Sequence, residues 1–227
     1  MAALAGYSVQ NALVEVDGPE IPVLDSSSAE FVAGLVGKGI RHLATPVRAI
    51  EILKPVEVSD GDATARLDPA DTLYIDFQID FEDSAIGRQD KALNMANGAF
   101  VRELCDSRTF CRQSDVDAMR ASGLALGGSY DNAVVVDGDQ VLSPGGLRHD
   151  DEAVRHKMLD ALGDLALAGA PILGRYQGHR AGHALTNALL RALFAQPDAY
   201  RMVLCDSSRT GRLPGVGVHK RDVPLHA

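Results

Sequence analysis

The sequence predicts an α+β fold, because its strands and helices occur in blocks rather than in strict alternation. Of the 227 residues, 46% are hydrophobic and 23% are charged, which is the composition of an ordinary globular protein. One stretch, from Leu73 to Phe81, alternates apolar and polar residues as a strand with one buried face does. A chain of this length and composition can bury a sizeable core and is not expected to be disordered.

The first 43 residues predict a series of short elements. In order, these are a helix end at residues 1–6, a strand at 12–16, a turn at 17–20, an extended piece at 21–24, and a helix from Ser26, Ser27 or Ser28 to about Gly37. A helix as short as the first one is not stable alone. We therefore expect that sequence belonging to this part precedes Met1.

Residues 44–195 predict a larger α+β unit. Its expected elements are strands at 47–58, 63–67, 73–81 and 132–136, and helices at 99–105, 115–121, 150–167 and 182–194. The Asp60-Gly61-Asp62 step predicts a hairpin turn. The alternation at 73–81 is typical of an antiparallel sheet with one face on a core. Residues 196–227, with several Pro and Gly residues, are expected to form an irregular C-terminal tail.

Charge and cysteine usage exclude several classes of function. There are 31 acidic and 22 basic residues, a formal charge of -9, which argues against nucleic acid or an anionic membrane as the main partner. The longest apolar stretch, Leu165 to Gly174, is too short to span a bilayer, and we find no signal peptide. The 3 cysteines have no CxxC spacing, which indicates reduced thiols. We expect a cytoplasmic monomer.

The helix predicted from Asp150 carries a polar stripe. At 100° per residue, His156, Asp160 and Asp164 lie at about 0°, 40° and 80°, opposite the apolar stripe that includes Met158 and Leu162. His and Asp four residues apart can both reach one metal ion, and both are suitable zinc ligands. The spacing alone is weak, since a solvated polar face with a chance histidine gives the same pattern.

Two further segments contain candidate functional residues. His183 follows Gly182 at the start of a predicted helix, where a histidine can act as a general acid or base or simply belong to a capping loop. In Ser107-Arg108-Thr109-Phe110, the Thr hydroxyl can donate to a developing oxyanion and the Phe ring can pack on a sugar. Gly127-Gly128-Ser129 could bind phosphate, but an ordinary turn is the better interpretation.

Several segments, taken in order, resemble the UDP-3-O-acyl-N-acetylglucosamine deacetylase family, the zinc hydrolases of lipid A synthesis. They are Asp17-Gly18-Pro19-Glu20-Ile21-Pro22, Ser107-Arg108-Thr109-Phe110, Leu126-Gly127-Gly128-Ser129, Leu147-Arg148, the string from Val154 to Asp164, and Gly182-His183-Ala184-Leu185. The string V-R-H-K-x-L-D-x-x-G-D is highly specific, whereas the N-terminal segments are weaker. The resemblance extends from residue 1 to about Leu193.

The resemblance implies a two-domain sandwich of sheets and helices with the active site between the domains. Residues 1–43 would be the remnant of a first domain that is largely missing, and 44–195 would be the second. The substrate would be an acylated UDP-sugar, and loss of its N-acetyl group would be the committed step of lipid A biosynthesis.

The resemblance also implies a role for individual residues. By this resemblance, His156, Asp160 and a further histidine would hold Zn²⁺. His183 would be the cation that protonates the leaving amine, and Asp164 would orient His183. Thr109 would polarise the carbonyl group, and Phe110 and Lys157 would contact the substrate.

The sequence departs from the family pattern in two places. The family has a Glu-His pair, its general base and third zinc ligand, ahead of the segment that residues 2–6 continue; no Glu-His dipeptide occurs here, so we expect little or no turnover by these 227 residues. Residues 111–114 are polar where the family has Gly and apolar residues near the acyl passage. The alternatives are a non-catalytic fragment that binds substrate or a partner, and a different zinc hydrolase with the same helix motif.

Overall fold

The fold is built on a mixed β-sheet with helices packed against one face. The computed structural model describes residues 1–123 and 129–224, and Leu126, Gly127 and Gly128 of the motif named above lie outside them. The strands are β1 (Arg48–Ile52), β2 (Val56–Asp60), β3 (Ala63–Pro69), β4 (Leu73–Asp80), β5 (Arg88–Asn94), β6 (Phe110–Arg112), β7 (Val134–Asp137), β8 (Gln140–Val141), β9 (Ile172–His179) and β10 (Tyr200–Leu204). The helices are α1 (Ala2–Gly6), α2 (Ala29–Lys38), α3 (Gln113–Ala121), α4 (Glu152–Leu165), α5 (His183–Phe194) and α6 (Ser207–Thr210).

Strand β9 organises the larger sheet. In the described part of the chain, seven strands form this sheet, with the order β10-β1-β9-β3-β2 and with β4 pairing both β9 and β5. β9 runs parallel to β1 and β4 and antiparallel to β3. The prediction of an antiparallel environment for residues 73–81 therefore holds only for the β4–β5 pair. The α+β class is confirmed.

The core lies between this sheet and helices α4 and α5. The buried side chains on the sheet side include Leu67, Leu73, Ile75, Phe77, Ile79 and Tyr176, and those on the helix side include Met158, Leu162, Leu189 and Leu193. The inward positions of β4 are thus those that the alternation predicted. Packing is close at Gly178, where a β-carbon would lie 2.7 Å from the Phe77 ring.

A smaller sheet holds the segment that contains Thr109 and Phe110. In the described residues it has three strands in the order β6-β7-β8, with β6 parallel to β7 and β7 antiparallel to β8. The Thr109 carbonyl accepts a hydrogen bond from the Val134 N–H at 2.7 Å, which continues the ladder by one residue. The Phe110 ring packs edge-on against Phe81, with ring centroids 5.3 Å apart.

The predicted strand at residues 12–16 is wrong, because this segment has no regular structure and its apolar side chains, such as Leu13, are exposed. A strand is stable only when its backbone groups pair with a neighbour, and no strand of the described residues pairs with this one. The single strand predicted at 47–58 is divided into β1 and β2 by the Leu53-Lys54-Pro55 segment, since proline donates no hydrogen bond.

The segment expected to be an irregular tail contains regular structure. β10 pairs antiparallel with β1, from Tyr200 opposite Ile52 to Leu204 opposite Arg48. Beyond it, Leu213 is buried against Ala49 and Leu173. The C-terminal residues thus cover part of the sheet. Across the described ranges, no helix combines the length and the apolar character that crossing a membrane requires.

Tyr176 connects strand β9 to helix α5, and substitution of this residue tests how much the connection stabilises the fold. Its ring is fully buried beside Phe77, burial raises the pKa of its hydroxyl to about 12, and that hydroxyl lies 2.9 Å from Thr186 Oγ1. We expect Tyr176→Ala to lower the free energy of unfolding by about 3–5 kcal/mol because it leaves a cavity. Tyr176→Phe keeps the ring and should cost about 0.5–1.5 kcal/mol. Urea denaturation measures both losses, and equal losses would contradict this packing.

Candidate active site

Helix α4 places His156, Asp160 and Asp164 on one face. The apolar stripe of α4 packs on the sheet, and the three polar residues lie on another side, as the periodicity predicted. They do not form a solvated face, however. The imidazole of His156 is only 8% exposed, and the carboxylates of Asp160 and Asp164 are 18% and 17% exposed. The Ser107–Phe110 segment and the start of α5 contact this face of the helix.

His156 is held by a backbone carbonyl in an orientation that suits a metal ligand. Its Nδ1 lies 2.9 Å from the carbonyl oxygen of Ser107. A carbonyl oxygen can only accept, so Nδ1 carries a hydrogen and Nε2 is the ring nitrogen left to face a metal ion. Nε2 lies 3.3 Å from Asp160 Oδ1, and Lys157 Nζ lies 2.9 Å from Asp160 Oδ2. An imidazole nitrogen and a carboxylate oxygen therefore converge on one point.

His183 reaches the same group of residues from the start of α5. Its Nδ1 lies 2.9 Å from Asp164 Oδ2, and its Nε2 lies 3.8 Å from Asp160 Oδ2. The side chain of His183 is 67% exposed, so the ring stands at the open edge of the site. Burial raises the pKa of Asp164 above its ordinary value, and hydrogen bonding to His183 opposes part of that rise.

The described residues offer two of the ligands that a zinc site needs. His156 Nε2 and Asp160 Oδ1 fit Zn²⁺ chemically, and the bond from His156 Nδ1 to a carbonyl is the usual support of a zinc-bound imidazole. Within residues 1–123 and 129–224, no group of three His, Cys, Asp or Glu residues could hold a metal ion.

Thr109 and Phe110 connect to this group only through the chain. The Thr109 N–H donates to Ser26 Oγ at 3.0 Å, and two residues earlier the Ser107 carbonyl contacts His156. The structure thus joins His156, Lys157, Asp160, Asp164 and His183 directly. It brings Thr109 and Phe110 to the neighbouring segment, and no hydrogen bond or ion pair within the described residues joins their side chains to this group.

Sequence reasoning missed the charged residues beneath the site. Arg108 and Glu152 form an ion pair whose side chains are 7% and 1% exposed. Glu152 lies four residues before His156, on the same side of α4, and Arg108 lies within the Ser107–Phe110 motif. The four-residue spacing between Glu152 and His156 was the available signal in the sequence. Arg108 lies 44 residues from Glu152, however, and a pair so far apart leaves no periodic pattern.

The chain matches proteins of known class across most of its length. A family model described as UDP-3-O-acyl N-acetylglycosamine deacetylase matches residues 1–195. This chain belongs to that family. The resemblance stated from the sequence is thereby confirmed.

Individual relatives carry the same family description. A UDP-3-O-acyl-N-acetylglucosamine deacetylase of Phenylobacterium zucineum (strain HLK1) is 55% identical over 202 residues, which cover 89% of this chain and 69% of the relative. Proteins with the same description from Anaeromyxobacter sp. (strain Fw109-5) and Shewanella frigidimarina (strain NCIMB 400) are each 47% identical, over 89% and 90% of this chain and over 67% and 68% of their own lengths. The chain thus spans about two thirds of these deacetylases.

Asp25 connects the segment before α2 to Arg148, and its ionisation makes the stability of the folded chain depend on pH. Burial raises the pKa of Asp25, but hydrogen bonds from the Ser27 hydroxyl and N–H and the ion pair with Arg148 outweigh that effect and hold the pKa below its ordinary value. The Arg148 guanidinium lies 2.8 Å away and also donates to the Asp106 carbonyl at 2.7 Å. Asp25 therefore stabilises the folded chain in its ionised form.

We expect Asp25→Asn to lower the free energy of unfolding by about 1 kcal/mol at pH 7. A carboxyl with a depressed folded-state pKa contributes stability above its unfolded-state pKa and loses it as the pH falls through the folded-state pKa. The difference in the free energy of unfolding between Asp25→Asn and the wild type should therefore become smaller below about pH 4. Urea titrations at several pH values measure it, with Asp17→Asn at an exposed position as the control. A difference that stays constant with pH would contradict the assignment.

Proposed function

We propose that this chain carries out metal-dependent hydrolysis of the N-acetyl group of UDP-3-O-acyl-N-acetylglucosamine, the substrate in the relatives' names. The observation that supports this most directly is the convergence of His156 and Asp160, with His183 linked to Asp160 and Asp164 beside them. The reaction would be the committed step of lipid A biosynthesis. Residues 44–195 would form the unit that carries the metal helix, in a cytoplasmic monomer.

His156 and Asp160 are the residues that would hold the zinc ion. When bound, zinc supplies a water of lowered pKa and polarises a carbonyl group. The contribution of the chain is to keep both donors in place before the ion arrives. The Ser107 carbonyl holds the His156 ring at Nδ1, and the Lys157 ammonium holds one oxygen of Asp160. Lys157 would also contact the substrate.

His183 would provide the proton that the reaction requires. Hydrolysis adds water across the amide C–N bond, so the departing nitrogen gains a proton while the acetyl carbon gains an oxygen. The Asp164 carboxylate holds the ring at His183 Nδ1, so that Nε2 would be the atom that passes a proton to the amine. Nε2 also faces Asp160, beside the place where the acetamide would lie.

The segment that contains Thr109 and Phe110 would bind the rest of the reacting group. The Thr109 hydroxyl would donate to the carbonyl oxygen of the acetamide, where negative charge develops. The Phe110 ring, packed edge-on against Phe81, offers a fixed apolar surface to the sugar. Both contacts depend on the backbone position that Ser26 Oγ gives to Thr109.

A second function is a substrate-binding fragment without hydrolysis. The observation that favours it is that the described residues contain no group of three potential metal ligands, and the printed sequence has no Glu-His dipeptide. With two protein ligands, zinc should bind weakly and retain several waters. This alternative predicts substrate binding without acetate release and without any dependence on His183.

Metal binding tests the two proposed ligands. We expect His156→Ala and Asp160→Asn each to raise the dissociation constant for Zn²⁺ at least about tenfold, because each removes one of two converging donors. Isothermal titration calorimetry measures the constant. His42→Ala, which removes an exposed imidazole elsewhere, is the matched control and should leave it unchanged. Equal affinities in all four proteins would contradict this site.

Acetate release tests the proposed reaction. With Zn²⁺ and substrate, we expect slow release by the wild-type chain, and a further loss of about 10²–10⁴-fold in His183→Ala, the range for a missing general acid. His42→Ala again serves as the control. Bound substrate with no release above background in the wild type would establish the binding fragment instead. Release that is the same in His183→Ala would contradict the role of this histidine.

A further inference from the structure

We propose that the buried Arg108–Glu152 pair is a positioning device for His156, which acts by holding the Ser107 carbonyl in place. The inference concerns the metal site and therefore rests on the proposed function. The hydrogen bonds and ion pairs of these two side chains within the described residues involve neither His156 nor Asp160. Their effect would pass through the backbone of the Ser107–Thr109 segment.

The Glu152 carboxylate joins two loops to the start of α4. It accepts hydrogen bonds from Arg108 Nε at 2.9 Å and from Arg108 Nη2 at 3.1 Å. It also accepts from the backbone N–H of Arg108 at 3.0 Å and from that of Arg148 at 2.7 Å. Arg108 Nη2 donates in addition to the Gly146 carbonyl at 2.7 Å. One carboxylate thus fixes the 106–109 and 146–148 segments together.

His156 meets the same segment one helical turn later. Glu152 and His156 are four residues apart on α4, and they contact the same peptide group from its two sides: Glu152 accepts from the N–H of Arg108, and His156 donates to the carbonyl of Ser107. Those two groups belong to a single peptide bond, which is planar. Holding its N–H therefore orients its carbonyl, and the carbonyl sets which nitrogen of His156 carries the hydrogen.

Within the described part of the chain, the side chain of Ser107 makes no hydrogen bond that would fix the position of this segment. Its hydroxyl is buried and has no hydrogen-bond partner among the described residues. The position of the Ser107 carbonyl must therefore come from its neighbours, and the contacts of Arg108 and Glu152 are the ones at the same peptide bond.

Stability alone is a poor account of this pair. Moving two charges out of water costs free energy that their attraction offsets only in part, and apolar residues of similar volume often serve as well or better. Apolar residues could not accept a hydrogen bond from the Arg108 N–H, and so could not orient the Ser107 carbonyl of the same peptide group. The positioning role gives a reason for a fully buried carboxylate at this place.

Glu152→Gln tests the proposal, since it keeps the size of the side chain and removes its charge. We expect the metal-free variant to show a mixture of Nδ1–H and Nε2–H forms of His156, where the wild type shows only Nδ1–H. Long-range ¹H–¹⁵N NMR reports the two forms, with His156→Gln assigning the signal. We also expect a dissociation constant for Zn²⁺ about 10–100 times higher, the effect of losing an outer support of a metal ligand.

Asp151→Asn is the matched control. It removes a neighbouring carboxylate that pairs with Lys91 and Arg155 at the same end of α4 but does not contact the 106–109 segment. It should leave the His156 signal and the zinc affinity unchanged. If Asp151→Asn changes both as much as Glu152→Gln does, the effect is one of general helix stability and the proposal fails.

Arg108→Lys keeps a cation beside Glu152 but lacks the planar guanidinium, and it replaces Glu152→Gln if that variant does not fold. It should shift the His156 signal in the same direction. A wild-type signal in a folded Glu152→Gln or Arg108→Lys chain would overturn the proposal. Because the NMR measurement needs no metal, it decides the question even if the wild-type chain binds no zinc, a result that would count against the proposed function alone.

Discussion

Helix α4 is buried on two sides, and the arrangement of the site follows from that constraint. One side is apolar and packs on the sheet through Met158 and Leu162. The other side carries charged and polar groups that a loop and the start of α5 cover. Burying such groups costs free energy unless each finds a partner, so the covering segments must supply partners in fixed places. The Ser107 carbonyl for His156 and the Arg108 guanidinium for Glu152 meet this requirement.

The sheet also determines where His183 lies. Tyr176 in the central strand β9 reaches Thr186 in the first turn of α5, which ties the start of that helix to the core. His183 is the first residue of α5, so its ring is placed beside Asp164 rather than left free. Burial raises the pKa of the Asp164 carboxyl, and its hydrogen bond with His183 opposes part of that rise.

Local patterns in the sequence predicted those features that depend on one element alone. The polar face of α4 follows from the helical repeat, and the inward face of β4 follows from alternation. β9 was missed because its sequence mixes apolar residues with Gly, Arg and Gln, and it is buried only because strands flank it on both sides. The strand expected at residues 12–16 did not form although its local sequence suits one, because no strand of the described residues pairs with it. Local sequence patterns could not predict the Arg108–Glu152 pair, because the two residues are far apart in the chain.

The two histidines of the site differ in the group that faces their Nδ1 atom, and that difference supports the roles proposed for them. His156 Nδ1 faces the Ser107 carbonyl in a buried position. His183 Nδ1 faces the Asp164 carboxylate at the open edge of the site. One arrangement suits a metal ligand and the other suits an acid. In the proposed reaction, the Ser107 carbonyl would therefore support the metal ligand, and the Asp164 carboxylate would support the acid.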